Sequence, residues 1–292
     1  MSTDGIERRR LIMKPLNQTS TEDDRPDISF VMPCYNEEDV VGYSIPRFVA
    51  VFRNAGLKLE LIAVDNGSTD QTGNVIRELA AEDPWIVHHH VEVNEGYGKG
   101  VLSGLPLCRG PFVGIIPCDD QVESQEVVRL CEIARKARTP KVFKVRRRFR
   151  LESFSRRIVS RTYNLLTTML FGNLNTMDIN AGPKLIPRPY LQKMNLQSTD
   201  WFLDAEIMIK AKRMGLGVFE LNVFSQMRAE GRSNVRPSTC WEFVVNLLRY
   251  RLGSRRSMLA IDSSETISGN FNPDARQQSP GQSLRGHENI DE

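Results

Sequence analysis

Leu59-Glu60-Leu61-Ile62-Ala63-Val64 runs straight into Asp65-Asn66-Gly67-Ser68-Thr69-Asp70. A short, largely apolar run bounded by turn residues reads as a strand buried on both faces. The Gly, Ser and Asp that follow supply turn and helix-cap chemistry. The same join occurs twice more. Ile28–Met32 runs into Pro33-Cys34-Tyr35-Asn36-Glu37-Glu38, and Phe112–Ile116 into Pro117-Cys118-Asp119-Asp120-Gln121. In an open α/β sheet the ligand binds outside the carboxyl ends of such strands. The three bursts therefore predict one rim that carries acids.

Outward from these joins, helices alternate with strands. A helix is expected from about Pro46 to Asn54, with Ser44 as its cap, Pro46 in its first turn and Gly56 as its stop. Asp70 is expected to cap a helix over Gln71–Ala81. Ile86–Val91 reads as a strand, and Asn94–Gly100 leads into a short helix ending at Cys108. Ser124–Arg138 reads as a helix and Lys141–Val145 as a strand. This alternation predicts an α/β fold with a mostly parallel, doubly wound sheet and helices on both faces. Further on, Phe154–Phe171 and Trp201–Met214 read as helices, Ile179–Ile186 as a strand or extended segment and Val218–Val223 as a strand. Trp241–Tyr250 reads as a last amphipathic helix. The polar stretches 1–26 and 257–292 have little to bury and are expected to be disordered tails. They flank one domain over 27–235 and a helical segment over 236–256.

The bulk numbers fit a globular chain: 292 residues, 40% hydrophobic and 26% charged, with a net charge of only +3. Five cysteines, an odd number with no metal-pair spacing, suit a reduced cytoplasmic chain. Arg8-Arg9-Arg10 is followed only by Leu11-Ile12-Met13 before Lys14, too short for a signal-peptide core. No apolar stretch approaches the ~20 residues that span a bilayer. Work at a membrane would be done at its surface.

Several residues stand out chemically. Turn chemistry does not account for Asp65, an acid at the tip of a buried strand, which can accept hydrogen bonds from a base N–H or a ribose hydroxyl. Asn36 and Glu37 are expected at the same cleft. His88-His89-His90 alternate between strand faces and read as strand-edge polar residues rather than a metal cluster. Residues 141–161 hold nine Lys or Arg and one acid, Glu152, and run into Ile158, Leu165, Leu166, Met169, Leu170 and Phe171. A basic amphipathic helix suits an anionic membrane surface. The scarcity of interleaved aromatics argues against nucleic acid.

Pro33–Glu38, Asp65–Asp70 and Asp119-Asp120-Gln121 together resemble the nucleotide-sugar half of the family-two glycosyltransferases, and most of all the dolichyl-phosphate mannosyltransferase group with its bacterial polyprenyl-phosphate relatives. The likeness runs from about Ile28 to Val235. It implies a GT-A fold and inverting transfer of a hexose from a GDP- or UDP-sugar to a polyprenyl phosphate. The enzyme would work as a cytoplasmic protein peripheral to the membrane. It places Pro33, Tyr35, Glu37 and Asp65 at the nucleoside, beside Asn36 in the same cleft, and Lys99 of the Asn94–Gly100 loop at the diphosphate.

The resemblance also implies Mg²⁺ or Mn²⁺ at Asp119, Gln121 and Asp120. Where the family writes Asp-x-Asp-x-Gln, this chain has Pro117 in place of the first acid. Asp178–Leu185 resembles an acceptor-side segment, with Pro183 replacing the usual aromatic. The acids of Asp200–Glu206 are implied to face the sugar or the acceptor. Asp204 is the candidate base if the acceptor is a hydroxyl. Gln226–Asn234 resembles a closing loop, with Arg228 and Ser233 on phosphate and Arg232 as a further cation. Asp119, Asp204 and Arg228 are thus the candidate catalytic residues. Two readings stay open beside this one: transfer to a soluble or glycan hydroxyl, and a nucleotide-sugar-binding protein with little catalysis.

Overall fold

The computed structural model describes residues 25–149, 154–176, 178–224, 247, 250 and 251. Seven strands form one sheet: β1 (Ile28–Cys34), β2 (Leu59–Asn66), β3 (Ile86–Val91), β4 (Phe112–Ile115), β5 (Lys141–Phe149), β6 (Lys184–Pro187) and β7 (Gly217–Phe224). Their order is β3-β2-β1-β4-β6-β5-β7. Every strand but β6 runs the same way, since β6 is antiparallel to both β4 and β5. The sheet is thus mostly parallel, as the alternation predicts.

Helices α1 (Glu38–Asn54), α2 (Thr72–Glu82) and α4 (Ser124–Arg135) cover one face. On the other face lie α3 (Tyr97–Gly104), α5 (Phe154–Phe171), α6 (Arg188–Met194) and α7 (Leu203–Arg213). The first core centres on Phe30, Phe48 and Phe52, whose rings meet at centroid distances of 4.8–5.9 Å. Phe30 lies over Gly114 of the neighbouring strand, where an added Cβ would sit 2.1 Å from the ring. The second core gathers Val31, Ile62 and Val113 of the sheet with Leu203, Ile207 and Met208 of α7.

Three local expectations are corrected. Helix α1 begins at Glu38, so Pro46 lies inside it and Ser44 is buried within it rather than capping it. A mid-helix proline costs about 3 kcal/mol. Burial of Val41, Ile45, Phe48, Val49 and Phe52 on one helical stripe outweighs that cost. Helix α2 begins one residue later than expected, with Gln71 at the cap, although the Asp70 carboxylate still accepts the Thr72 N–H at 2.9 Å. The extended segment from Ile179 becomes a strand only from Lys184, and α6 follows it unforeseen.

Strand β2 also hides an acid within its apolar run. Glu60 is buried and accepts hydrogen bonds from Ser29 Oγ at 2.5 Å and from the Arg109 backbone N–H at 2.8 Å. Among the described residues no helix is long and apolar enough to cross a membrane. All but residues 25 and 26 of the expected tails at 1–26 and 257–292, and most of the Trp241–Tyr250 helix, lie outside the described residues.

Candidate active site

Parallel pairing of β1 with both β2 and β4 brings the three polar bursts to one rim. The chain leaves β1 toward β2 on one side, while β4 lies on its other side. The strand order therefore reverses beside β1, which is where open α/β sheets bind ligands. A cavity of about 470 Å³ opens there. It extends from the β1 and β4 loops to the 178–183 segment, α5 and the start of α7.

The first two bursts are laced together by the residues that made them conspicuous. Asn36, at φ +53°, donates its backbone N–H to Ser68 Oγ at 3.2 Å, and its side-chain oxygen accepts the Thr69 N–H at 2.8 Å. The Glu37 N–H donates to Thr72 Oγ1 at 2.8 Å, and the Glu38 carboxylate accepts the Gln71 N–H at 2.8 Å. Asn36 thus serves as a clasp between loops and does not line the cavity. Pro33, Tyr35 and Glu37 do line it.

Asp65 is buried at the end of β2, off the cavity wall. Its Oδ1 accepts the Ser68 N–H at 3.0 Å, and His90 Nδ1 lies 2.9 Å from its Oδ2. It is the next residue, Asn66, that lines the cavity, with an Oδ1 that is buried and has no hydrogen-bond partner. The histidine run is therefore not merely an edge feature: β3 is the edge strand, and His90 reaches across to the β2 acid. Burial, followed by the nearby Arg77 charge, lowers the His88 pKa.

The glycines of Asn94–Gly100 serve packing. A Cβ on Gly98 would lie 2.3 Å from the Ser198 carbonyl oxygen, and one on Gly100 2.7 Å from the Asn66 side chain. The Lys99 backbone N–H donates to the Thr199 carbonyl at 2.9 Å, while its ammonium faces Glu95 at 3.4 Å and lies off the cavity wall.

Pro117, Asp119, Asp120 and Gln121 all line the cavity. Asp119 Oδ1 accepts the Gln121 N–H at 3.3 Å. Asp120, at φ +49°, is held by Arg47 at 2.8 Å, and burial pushes its carboxyl up against the pull of that guanidinium. The Asp119 carboxylate and the Gln121 amide oxygen are hard ligands of the kind that hold Mg²⁺ or Mn²⁺, which commonly take one or two carboxylates and complete their sphere with water and substrate phosphate. The donor set fits such an ion. Among the described residues no group of three or more His, Cys, Asp or Glu is gathered to hold one by itself.

Arg147, Tyr163, Asn164, Asp178, Asn180, Trp201 and Asp204 form the rest of the wall. Arg147, the one cation among the described lining residues, faces the Asp178 carboxylate at 3.2 and 3.3 Å. Its sequence signal was lost inside the basic run. Not all of that run is surface, since Lys144 is fully buried. Lys144 lies opposite Lys184 in the β5–β6 pairing. Lys144 contacts Thr176 Oγ1 at 3.0 Å and the Asp178 carbonyl, and Lys184 Nζ lies 2.5 Å from Asp204 Oδ1. Burial, reinforced by Lys184, lowers the Lys144 pKa to about 7.

Of the acids at the start of α7, Asp204 lines the cavity, whereas Glu206 does not. Glu206 accepts the Gln197 and Ser198 N–H groups and pairs with Lys210 at 2.6 Å. Arg228, Arg232 and Ser233 lie outside the described residues.

The order of the sheet and the acid-bearing rim at β1 and β4 define a GT-A glycosyltransferase fold. The sequence matches the family model described as glycosyl transferase family 2 over residues 29–194, more than half of the chain, and the protein belongs to that family. It is 34% identical over 146 residues to an undecaprenyl-phosphate 4-deoxy-4-formamido-L-arabinose transferase of Pectobacterium carotovorum, covering 49% of this chain and 44% of the relative. It is 27% identical over 238 residues to an undecaprenyl-phosphate mannosyltransferase of Micrococcus luteus, covering 77% of this chain and 94% of the relative. The chain thus spans less than half the length of the arabinose transferase. Among solved structures, the glucosyl-3-phosphoglycerate synthase of Mycobacterium tuberculosis in complex with Mn²⁺, UDP and glucosyl-3-phosphoglycerate shares the fold. The TM-score is 0.61 at 21% identity, over 79% of this chain and 81% of that one.

Proposed function

We propose that the protein is an inverting glycosyltransferase that moves a hexose from a GDP- or UDP-sugar to a polyprenyl phosphate at a cytoplasmic membrane surface. One observation carries the acceptor assignment. Among the described lining residues the cavity has a single cation, Arg147, set on the side opposite the nucleotide loops together with Asn164 and Asn180. A guanidinium with amide neighbours suits a phosphomonoester. Asp178, which Arg147 now faces, is the group that an entering phosphate displaces. The names of the relatives, which act on undecaprenyl phosphate, support the same class.

The chemistry follows from the residues. A phosphomonoester has a second pKa near ~6 and arrives as a dianion. Its oxygen attacks the anomeric carbon as the bond to the diphosphate breaks, in one displacement with inversion. This acceptor needs no base, and Asp204 is held by Lys184 rather than poised toward a proton. Pro33, Tyr35 and Glu37 contact the nucleoside. Asp65 orders the turn behind it through Ser68. Asp119 and Gln121 would hold the divalent cation, which when bound would neutralise charge on the leaving diphosphate. Arg228 and Ser233 are assigned to the donor phosphates on the resemblance of Gln226–Asn234 alone.

Membrane contact is assigned to α5. Leu165 and Met169 stand one turn apart on its outer side, 58% and 73% exposed, downstream of Arg156, Arg157 and Arg161 in the sequence. Cosedimentation with anionic vesicles, expected to weaken with salt and in Leu165→Asp/Met169→Asp, tests this part. A second reading, transfer to a hydroxyl with Asp204 as base, draws on the presence of Asp204 in the cavity wall. Transfer from a panel of nucleotide sugars with Mn²⁺, with and without polyprenyl phosphate, separates the two.

A further inference from the structure

We propose that the stacked pair Tyr97–Trp201 is the platform on which the pyranose ring of the donor rests, so that Trp201 sets which sugar the enzyme accepts. This rests on the nucleotide-sugar reading of the cavity. The two rings lie 4.5 Å apart between centroids and only 6° from parallel. Tyr97 opens α3 on the nucleotide half of the site, and Trp201 precedes α7 on the acceptor half. Both line the cavity. Tyr97 covers one face of the indole, yet Trp201 keeps 36% of its surface exposed. A large, rigid aromatic left partly bare in a cavity that also carries carboxylates and amides is suited to an amphipathic ligand. A pyranose is one, with C–H groups on its faces and hydroxyls around its edge.

The placement fits the chemistry on either side. The charges of Asp204 and Asp119 both bear on the Tyr97 phenol, so the stack lies near the carboxylate assigned to the cation and near the one at the start of α7. Burial first, then those two charges, pushes the phenol well above its ordinary range. Tyr97 therefore keeps its proton and can donate to a sugar oxygen.

The pair is also built to stay in place. Gly96 adopts φ +111° and donates its N–H to Asn94 Oδ1 at 2.8 Å. The Asn66 amide donates to the Gly96 carbonyl at 3.1 Å, and the Lys99 N–H ties the loop to Thr199. Glu206 holds the backbone of 197–198 from the other side. Rigid support on both flanks is what a recognition surface needs, because less ordering is left to binding.

The test compares nucleotide with nucleotide sugar. Calorimetry on the full chain with Mn²⁺ measures GDP, UDP, GDP-mannose and UDP-glucose. Trp201→Ala is expected to weaken the preferred nucleotide sugar by on the order of tenfold while leaving the matching diphosphate within about twofold. It is also expected to narrow the preference between sugars. Trp201→Phe keeps a ring and recovers most of the loss, and Trp201→Leu, closer to the original volume, serves if the alanine variant does not fold. Equal weakening of diphosphate and nucleotide sugar would mean a structural role and overturn the proposal, as would unchanged binding of both. If the unaltered protein binds the diphosphates but discriminates no sugar, the platform fails and the nucleotide pocket stands. If it binds none of the four ligands, the donor reading fails and takes the platform with it.

Discussion

Lys184 Nζ lies 2.5 Å from Asp204 Oδ1, in a buried pair whose acid lines the cavity while its lysine lies behind the wall. Removing one partner of such a pair strands the other charge in a poorly solvated site. Lys184→Met is therefore expected to lower stability by about 3–5 kcal/mol, measured by chemical denaturation. Lys184→Met/Asp204→Leu is expected to recover much of that loss. A loss for the single variant within experimental error would contradict the ion pair.

Lys144 gives a pH signature. Burial and the Lys184 charge lower its pKa from the ordinary 10.5 to about 7, against the opposing pull of Asp178, Glu220 and Asp204. Between those two values the unfolded chain holds more of the proton, so this residue makes stability rise with pH through the window and costs most below it. Lys144→Met, which lacks the buried ammonium, is expected to be the more stable protein near pH 7. That advantage should shrink as pH rises toward 9.5. Melting curves of both proteins across the range test this, and a constant difference would contradict it.

The metal burst separates its two acids. Asp120 is engaged by Arg47, whereas Asp119 lies next to the Gln121 amide on the cavity wall. Asp119→Asn is expected to reduce Mn²⁺-dependent binding of the nucleotide sugar by at least about tenfold, since a charged ligand to the cation is lost. Asp120→Asn is expected to change it much less. Calorimetric titration with and without Mn²⁺ measures both, and the reverse order would assign the cation to Asp120.

Gly98 is a packing position. Because an added Cβ would meet the Ser198 carbonyl oxygen at 2.3 Å and Thr199 C at 2.7 Å, backbone on both counts, Gly98→Ala must push the two loops apart. A loss of about 1–3 kcal/mol is expected, as for other overpacked sites. Trp201 fluorescence should shift as its stack on Tyr97 opens. Full stability and an unchanged spectrum would contradict the packing role.

Much of this was legible in the sequence. The three apolar runs marked β1, β2 and β4, because strands buried on both faces leave an unbroken apolar signal. Their polar ends marked the rim, and Pro33, Tyr35, Glu37, Asp119, Gln121 and Asp204 come together there. What stayed hidden depends on partners far along the chain. His90 finds Asp65 only because β3 pairs with β2. Arg147 looked like one of many surface cations, since composition does not separate a cavity arginine from a buried lysine such as Lys144. Tyr97 and Trp201 are about a hundred residues apart, and no local pattern foretells their stack. Pro46 favours a first-turn position locally, but burial of the Val41–Phe52 stripe against the sheet carries α1 back to Glu38.

The acceptor is the central claim, and one assay addresses it directly. Purified protein, Mn²⁺ and a panel of labelled GDP- and UDP-hexoses are incubated with a polyprenyl phosphate, and the organic phase is counted. The account predicts label transferred into lipid from one donor, dependent on the phosphate group of the acceptor and strongly reduced in Arg147→Met. Label that passes instead to a water-soluble hydroxyl acceptor, or transfer to lipid that Arg147→Met leaves unchanged, would contradict it.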